Sequence, residues 1–442
     1  MDLRDLIVTP FIIVAVYAIA YALRSRLCNL DNYRIFFPAL TVKIVGALAV
    51  GFLYQYYYRG GDTFNYHTFG SRIIWEAFTE DPTKGLSLIF DPYCYSLPEY
   101  SSRIIFFGDP SSFFVVRVAA LFDIITFSAY SATAIIFAFM SFIGMWFMFL
   151  AFYERYPHLK RQLAFCILFI PSVVVWGSGL LKDTLVIGAL GFATYGIGRV
   201  FIDRRPGVLW IFMLLLSLSL IFAVKKYVLL CFLPTVLLWV YWGNLQKIKS
   251  RMVQIMLVPV VIAVIVVSGI FAIIKVGEND KRYAIDKIAE TAAITAYDIG
   301  FYSGKNAGSG YSLGELDGSF GGMLSLFPQA VNVSLFRPYL WEVRNPLMLL
   351  SAIESFAFLI ITAFMLLRHP LKFFSALLRS PTVMFCLVFS IIFAFAVGAS
   401  TYNFGTLSRY RIPLAPFYLV ALVLIADDWN SERKFKVLEE TE

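Results

Sequence analysis

FFVVRVAALFDIITF, residues 113–127, is the stretch on which the threading of this chain turns. It is apolar enough to pass for a membrane span, yet it carries Arg117 and Asp123. A spanning helix needs about 20 apolar residues, and a charge at its centre costs on the order of 2.5–3.5 kcal/mol even by permissive scales. Around it lie eleven stretches that read as spans, roughly 6–23, 38–57, 129–153, 162–180, 184–202, 207–224, 227–243, 252–275, 346–367, 381–399 and 412–427. Charge decides the status of the twelfth, because short cytoplasmic connections collect Lys and Arg. With 113–127 lying in the interface, one side receives Arg24, Arg26, Arg34, Arg155, Lys160, Arg161, Arg204 and Arg205. The same side takes Lys247, Lys249, Arg251, Arg368, Lys372, Arg379, Arg433, Lys434 and Lys436. The opposite side keeps only Arg4, Lys182, Lys225, Lys226, Arg409 and Arg411 in its terminus and short connections. A spanning 113–127 would reverse every later loop and erase this asymmetry. The segment is therefore read as interfacial, the N-terminus as extracytoplasmic and the C-terminus as cytoplasmic.

Composition agrees with that class. Of 442 residues, 60% are hydrophobic and only 15% charged, far from the soluble globular range. Long apolar runs, rather than short segments of alternating polarity, argue for helices and against a barrel. The expected fold is an all-α polytopic transmembrane bundle forming one integral membrane domain over residues 1–442, in a plasma (bacterial inner) membrane. The net charge of +8 reflects topology; there is no block of six Lys and Arg, so no nucleic-acid partner is expected. The five cysteines are scattered without a CxxC pair, so neither a disulfide framework nor a zinc site is suggested. MDLRD lacks the basic region of a secretory signal, and AIA at 18–20 is read as part of a retained first span.

Two long segments, 58–128 and 276–345, then fall on the outer face, and any chemistry is expected there. In the first, RIIWEAF reads as a short amphipathic helix suited to a headgroup layer. In the second, Ile285, Ile288, Ala289, Ala292 and Ala296 form an apolar stripe at helical spacing, with Asn279 or Asp280 to cap its start and Gly300 to end it. The glycine-rich run GFYSGKNAGSGYSLGELDGSFGG at 300–322 is either a lid over a site or a solvated linker.

Four polar clusters face outward. GGDTFNYH, 60–67, offers Asp62, Tyr66 and His67; a carboxylate beside a glycine turn suits a general base or a cation ligand, or it simply caps the next helix. PSVVVWGSGLLKD, 171–183, sets Lys182 and Asp183 where two spans meet: a point charge for a phosphate, or mere punctuation of a turn. LFRPYLWEVRNP, 335–346, brings Arg337 and Glu342 to the mouth of a span, as ligands or as a structural ion pair. SRYRIPLAP, 408–416, puts Arg409 and Arg411 on the non-cytoplasmic side against the prevailing charge bias, as a site for phosphate oxygens requires. His158 and His369 fall on the cytoplasmic side, so with His67 they cannot form a metal cluster.

These clusters, in this order, resemble the polytopic C-type glycosyltransferase superfamily (GT-C). GDTFNY looks like its early acidic motif. PSVVVWGSGLLKD and SRYRIPLAP are similar to the lysine-acid and late arginine-proline motifs of uncharacterised bacterial members. The resemblance implies transfer of a sugar from a polyprenyl-phosphate donor to a hydroxyl of a glycan, lipid or protein acceptor. Asp62 would be the catalytic base, and Tyr66, His67, Lys182, Asp183, Arg337, Glu342, Arg409 and Arg411 would bind substrate among the membrane lipids. The chain departs from the pattern in lacking a tight acidic pair, since the next acid after Asp62 is Glu76. That speaks against, without removing, a divalent-metal-dependent variant; no other cofactor is expected. A polysaccharide polymerase or ligase using a lipid-diphosphate glycan is the neighbouring alternative. A lipid or glycan flippase or other transporter is disfavoured by the absence of an internal repeat and of polar groups at the midplane.

Overall fold

A computed structural model describes every residue except 1, 92–96, 247, 249, 251, 254, 255, 261, 262, 264–266, 268, 271–273, 275, 276, 278, 279, 281–286, 300–308, 315–318 and 440–442, and the side chains of 320 and 430–439. Among the described residues the chain is helical, with one isolated antiparallel bridge, Gly310 to Asn403, and no strand. Among the described residues, seven helices are long and apolar enough to cross a membrane: Leu3–Leu27, Tyr33–Tyr57, Tyr130–Tyr153, Lys182–Ile202, Lys226–Leu245, Pro346–Arg368 and Pro381–Ala399. An eighth crossing is available if Phe404–Tyr410 and Leu414–Trp429, bent by 66°, act as one broken span.

The differences from the eleven expected spans have local causes. The expected span at 162–180 is two short helices, Lys160–Leu168 and Pro171–Trp176. Pro171 lacks an N–H and pushes Ile170 into extended backbone (φ −64°, ψ 124°), which ends the first helix. Nine and six residues rise roughly 13 and 9 Å, short of a hydrocarbon core about 30 Å thick. Val208–Val224 is apolar but only 17 residues long. Half of the expected span at 252–275 lies outside the described residues. Residues 113–127 fall within the Pro110–Thr126 helix and its cap, and that helix is not among the membrane-crossing candidates.

Two compact units divide the chain. The first comprises Met1–Gly196 and Gly207–Lys225. Its core is an aromatic cluster in which Phe36 meets Phe142 and Trp146 edge-on, both at 4.9 Å. Helices Tyr130–Tyr153 and Lys182–Ile202 approach backbone to backbone: a Cβ on Gly144 would lie 2.0 Å from the Gly188 carbonyl oxygen, and one on Gly191 only 1.9 Å from that of Gly144. Small residues at such a crossing replace the hydrophobic effect as the source of association in lipid. Asp5, buried near the start of the first helix, accepts from the backbone N–H of Ser131 (2.6 Å) and so satisfies a free donor at the start of Tyr130–Tyr153. The described residues of 62–126 form helices packed on one another, including the expected amphipathic piece as Arg72–Glu80.

The second unit comprises Ile197–Pro206 and Lys226–Glu442. Its core stacks Trp239 on Phe385 (4.6 Å, 4° between planes), with Phe232, Phe389 and Phe417 around them. Phe327–Phe336 lies so close to Pro381–Ala399 that a Cβ on Gly398 would meet the Ala330 carbonyl oxygen at 2.2 Å. Part of the expected stripe helix is present as Ile288–Ile299, with Ala289 and Ala296 buried; Asn279, Ile285, Gly300 and most of the glycine-rich run lie outside the described residues. Asp280, considered above as a helix cap, is ion-paired with Lys226 at 2.9 Å.

Candidate functional site

In the first unit the chain leaves the Tyr33–Tyr57 helix through a turn that only glycine makes without strain. Gly60 and Gly61 have φ of +138° and +116°, and a Cβ on Gly61 would lie 2.9 Å from Tyr54 Cε1. The Gly61 carbonyl accepts from the N–H groups of Phe64 and Asn65, both at 3.0 Å, so Gly61 caps the Asp62–Tyr66 helix. Asp62 is therefore not the cap but the first helical residue, half-buried.

Lys182 begins its helix and reaches back to the start of the Pro110–Thr126 helix, where Nζ donates to Ser111 Oγ (2.7 Å) and to Asp109 Oδ2 (3.2 Å). Asp109 is the cap of that helix, accepting from the Ser112 N–H at 3.2 Å. Burial raises the Asp109 pKa, but the Ser112 hydrogen bonds and the Lys182 charge outweigh it and hold the carboxyl at about 2. Asp109 thus stays ionised and serves as counter-ion. Lys182 also lies in the electrostatic field of the Asp62 carboxylate and of the Lys225 ammonium. Next in sequence, Asp183 is fully buried and ion-paired with Lys225. Two ion pairs, Lys182–Asp109 and Asp183–Lys225, thus stand at consecutive residues of one helix start, and the Asp62 charge acts on Lys182. This arrangement can hold an anionic group at the lysine while presenting a carboxylate to a neighbouring atom.

Tyr66 and His67 follow Asp62 in sequence but point into the protein. Tyr66 packs on Phe106 at 4.8 Å, and His67 is fully buried with Nε2 3.6 Å from the equally buried Asp123 Oδ1. Burial, with the charges of Arg72, the N-terminus and Arg4, drives the His67 pKa well below its ordinary 6.5. Burial likewise lifts Asp123 to about 6 against neighbouring hydroxyls, among them Thr133, which donates to Oδ1 at 2.6 Å. The dyad is sealed, so His67 has no surface on which to orient an acceptor.

The remaining candidates lie in the second unit. Arg337 forks onto Glu342, with Nε 3.1 Å from both carboxylate oxygens, and Glu342 also accepts from the Tyr339 N–H at 2.8 Å. Hydrogen bonding to the carboxylate raises Arg337, while Glu342, pushed up by burial, is drawn down further by Arg337. This is the ion pair weighed as the alternative to a ligand role. Arg411 is 1% exposed; it donates to Ser355 Oγ (2.6 Å), Glu354 Oε1 (3.2 Å) and the carbonyl oxygen of Arg337 (3.3 Å). A guanidinium so engaged braces the unit rather than awaiting a phosphate. Arg409, 8% exposed, lies on the Phe404–Tyr410 helix.

Sequence reading did not single out Asp109, Lys225 or Glu354. Asp109 was legible in principle, because Asp-Pro-Ser-Ser is a helix-start signature. Glu354 was legible as a lone acid within an expected span. Nothing local marks Lys225 as the partner of Asp183.

Neither a protein-family model, nor a curated protein, nor a solved structure matches this chain.

Proposed function

We propose that this protein is a membrane glycosyltransferase acting at the extracytoplasmic face, moving a sugar from a polyprenyl-phosphate donor to an acceptor hydroxyl with inversion. The observation that carries the reading is the half-buried Asp62 in the field of Lys182, at the point where membrane-crossing helices meet the packed segment 62–126. Asp62 takes the acceptor proton as the acceptor oxygen attacks the anomeric carbon. The bond from that carbon to the phosphate oxygen breaks, and the lipid phosphate leaves with its charge met by Lys182. Stabilising charge where it develops is the largest single contribution such a site makes. Asp109, ionised and committed to Lys182, keeps the ammonium in place. Arg409 and Arg411 belong to the second unit, and Arg411 is left to its structural role. The resemblance of GDTFNY, PSVVVWGSGLLKD and SRYRIPLAP to C-type glycosyltransferase motifs supports the same reading.

Purified protein in lipid nanodiscs, incubated with a panel of radiolabelled polyprenyl-linked sugars with and without chelator, tests it. One sugar added per acceptor is expected, and a ladder of repeats would assign a polymerase instead. Asp62→Asn should lower turnover by at least about 100-fold, the usual weight of a general base, without changing the melting temperature. Retained turnover in Asp62→Asn refutes the base assignment.

A further inference from the structure

The Tyr33–Tyr57 helix buries one lysine, Lys43, which is 1% exposed. Its Nζ donates to three neutral oxygens: the carbonyl of Gly177 (2.7 Å), Ser141 Oγ (3.2 Å) and the carbonyl of Val173 (3.3 Å). An ammonium has three protons, and here each has an acceptor. Ser141 Oγ donates a second hydrogen bond to the Gly177 carbonyl, at 2.8 Å.

The place of these acceptors gives them meaning. Val173 and Gly177 belong to the end of the Pro171–Trp176 helix, the last piece of the interrupted segment 160–181. A helix leaves its final carbonyls without partners, and in lipid there is no water to satisfy them. Residues 177–181 are nevertheless buried and irregular. They stay close to the Tyr33–Tyr57 helix because small residues allow it: a Cβ on Gly46 would lie 2.3 Å from the Val174 carbonyl oxygen, and one on Gly179 2.5 Å from Val50 Cγ1. Lys43, Gly46 and Val50 are spaced to share one helix face. Thr184 Oγ1 donates to the Gly179 carbonyl at 2.5 Å, which closes the irregular run onto the helix that begins at Lys182.

We propose that Lys43 is a positioning residue, a tethered cation that holds the break at 177–181 and through it fixes where Lys182 and Asp183 stand. It touches no substrate. As far as it concerns Lys182, the proposal rests on the reading of that residue as a phosphate holder.

The test compares the full chain in nanodiscs with Lys43→Met, which keeps the stem and removes the donors, and with Ser141→Ala, which removes one donor to Gly177 and is the milder change. Hydrogen–deuterium exchange of 177–184 should rise about tenfold or more in Lys43→Met and less in Ser141→Ala, the size expected of buried hydrogen bonds lost. Exchange in the Tyr130–Tyr153 helix should stay as in the parent. The donor KM should rise about tenfold in Lys43→Met while kcat changes less, because a displaced Lys182 weakens donor binding. Unchanged exchange at 177–184 in both variants overturns the proposal, as does exchange that rises uniformly through Tyr130–Tyr153 in both. A local rise in exchange with an unaltered donor KM overturns the link to Lys182. If the parent protein transfers no sugar from any donor, the functional reading fails, while the exchange result still decides whether Lys43 holds the break.

Discussion

Replacing His67 with phenylalanine should give a protein that weakens steadily as pH rises from about 4 to 6. Asp123 titrates at about 6 in the folded protein against an ordinary 3.8, so by itself it favours folding below pH 3.8 and loses that contribution as pH rises through 6. His67, held well below its ordinary 6.5, favours folding above 6.5 and loses that contribution as pH falls. Below about pH 6 the two oppose each other, because the unfolded chain carries a proton on His67 where the folded chain carries one on Asp123. The phenylalanine ring would fill the buried site beside Tyr130, whose ring stands edge-on to the imidazole at 5.4 Å, and would leave the Asp123 contribution uncompensated. A shift of about two units at about 1.4 kcal/mol each predicts a loss of roughly 3 kcal/mol from pH 4 to 7, relative to the parent. Asp123→Asn should slope the other way, losing stability as pH falls below about 6.5. Arg72 and Arg4 are the other side-chain charges that act on His67. Denaturant titrations in detergent at about pH 4.5, 5.5 and 7, read as the difference between each variant and the parent, supply the slopes. Two variants with the same slope, or none, would refute the shared-proton account.

Two further outcomes bear on the architecture. Arg411→Met removes the guanidinium from which the buried Glu354 carboxylate accepts and should cost about 3–5 kcal/mol; adding Glu354→Leu should recover much of that loss. Equal melting temperatures for Arg411→Met and the parent would contradict the bracing role. Gly191→Ala places a methyl 1.9 Å from the Gly144 carbonyl oxygen and should lower stability by about 1–3 kcal/mol, whereas Gly108→Ala, with nothing within 4 Å, should not. Equal thermal melts for the two alanine variants would count against the close helix crossing.

The residues by themselves determined what repeats or is punctuated locally. Apolar length marks the helices from Leu3–Leu27 to Pro381–Ala399, because burying about 20 such residues in hydrocarbon needs no partner to be favourable. The bias of Lys and Arg among the short connections argued for keeping 113–127 out of the span count, and its helix is not among the crossing candidates. Apolar length overcounted at 162–180, where apolar content hid the break that Pro171 imposes. Tertiary structure alone decided which charges meet. Lys182 found Asp109 across 73 positions, Asp183 found Lys225 across 42, and Lys43 found the Gly177 carbonyl across 134. An ionic group near lipid must have a partner, but it can take that partner from any distance along the chain. Composition therefore shows that a buried charge is paired, and only the packing of helices shows with what.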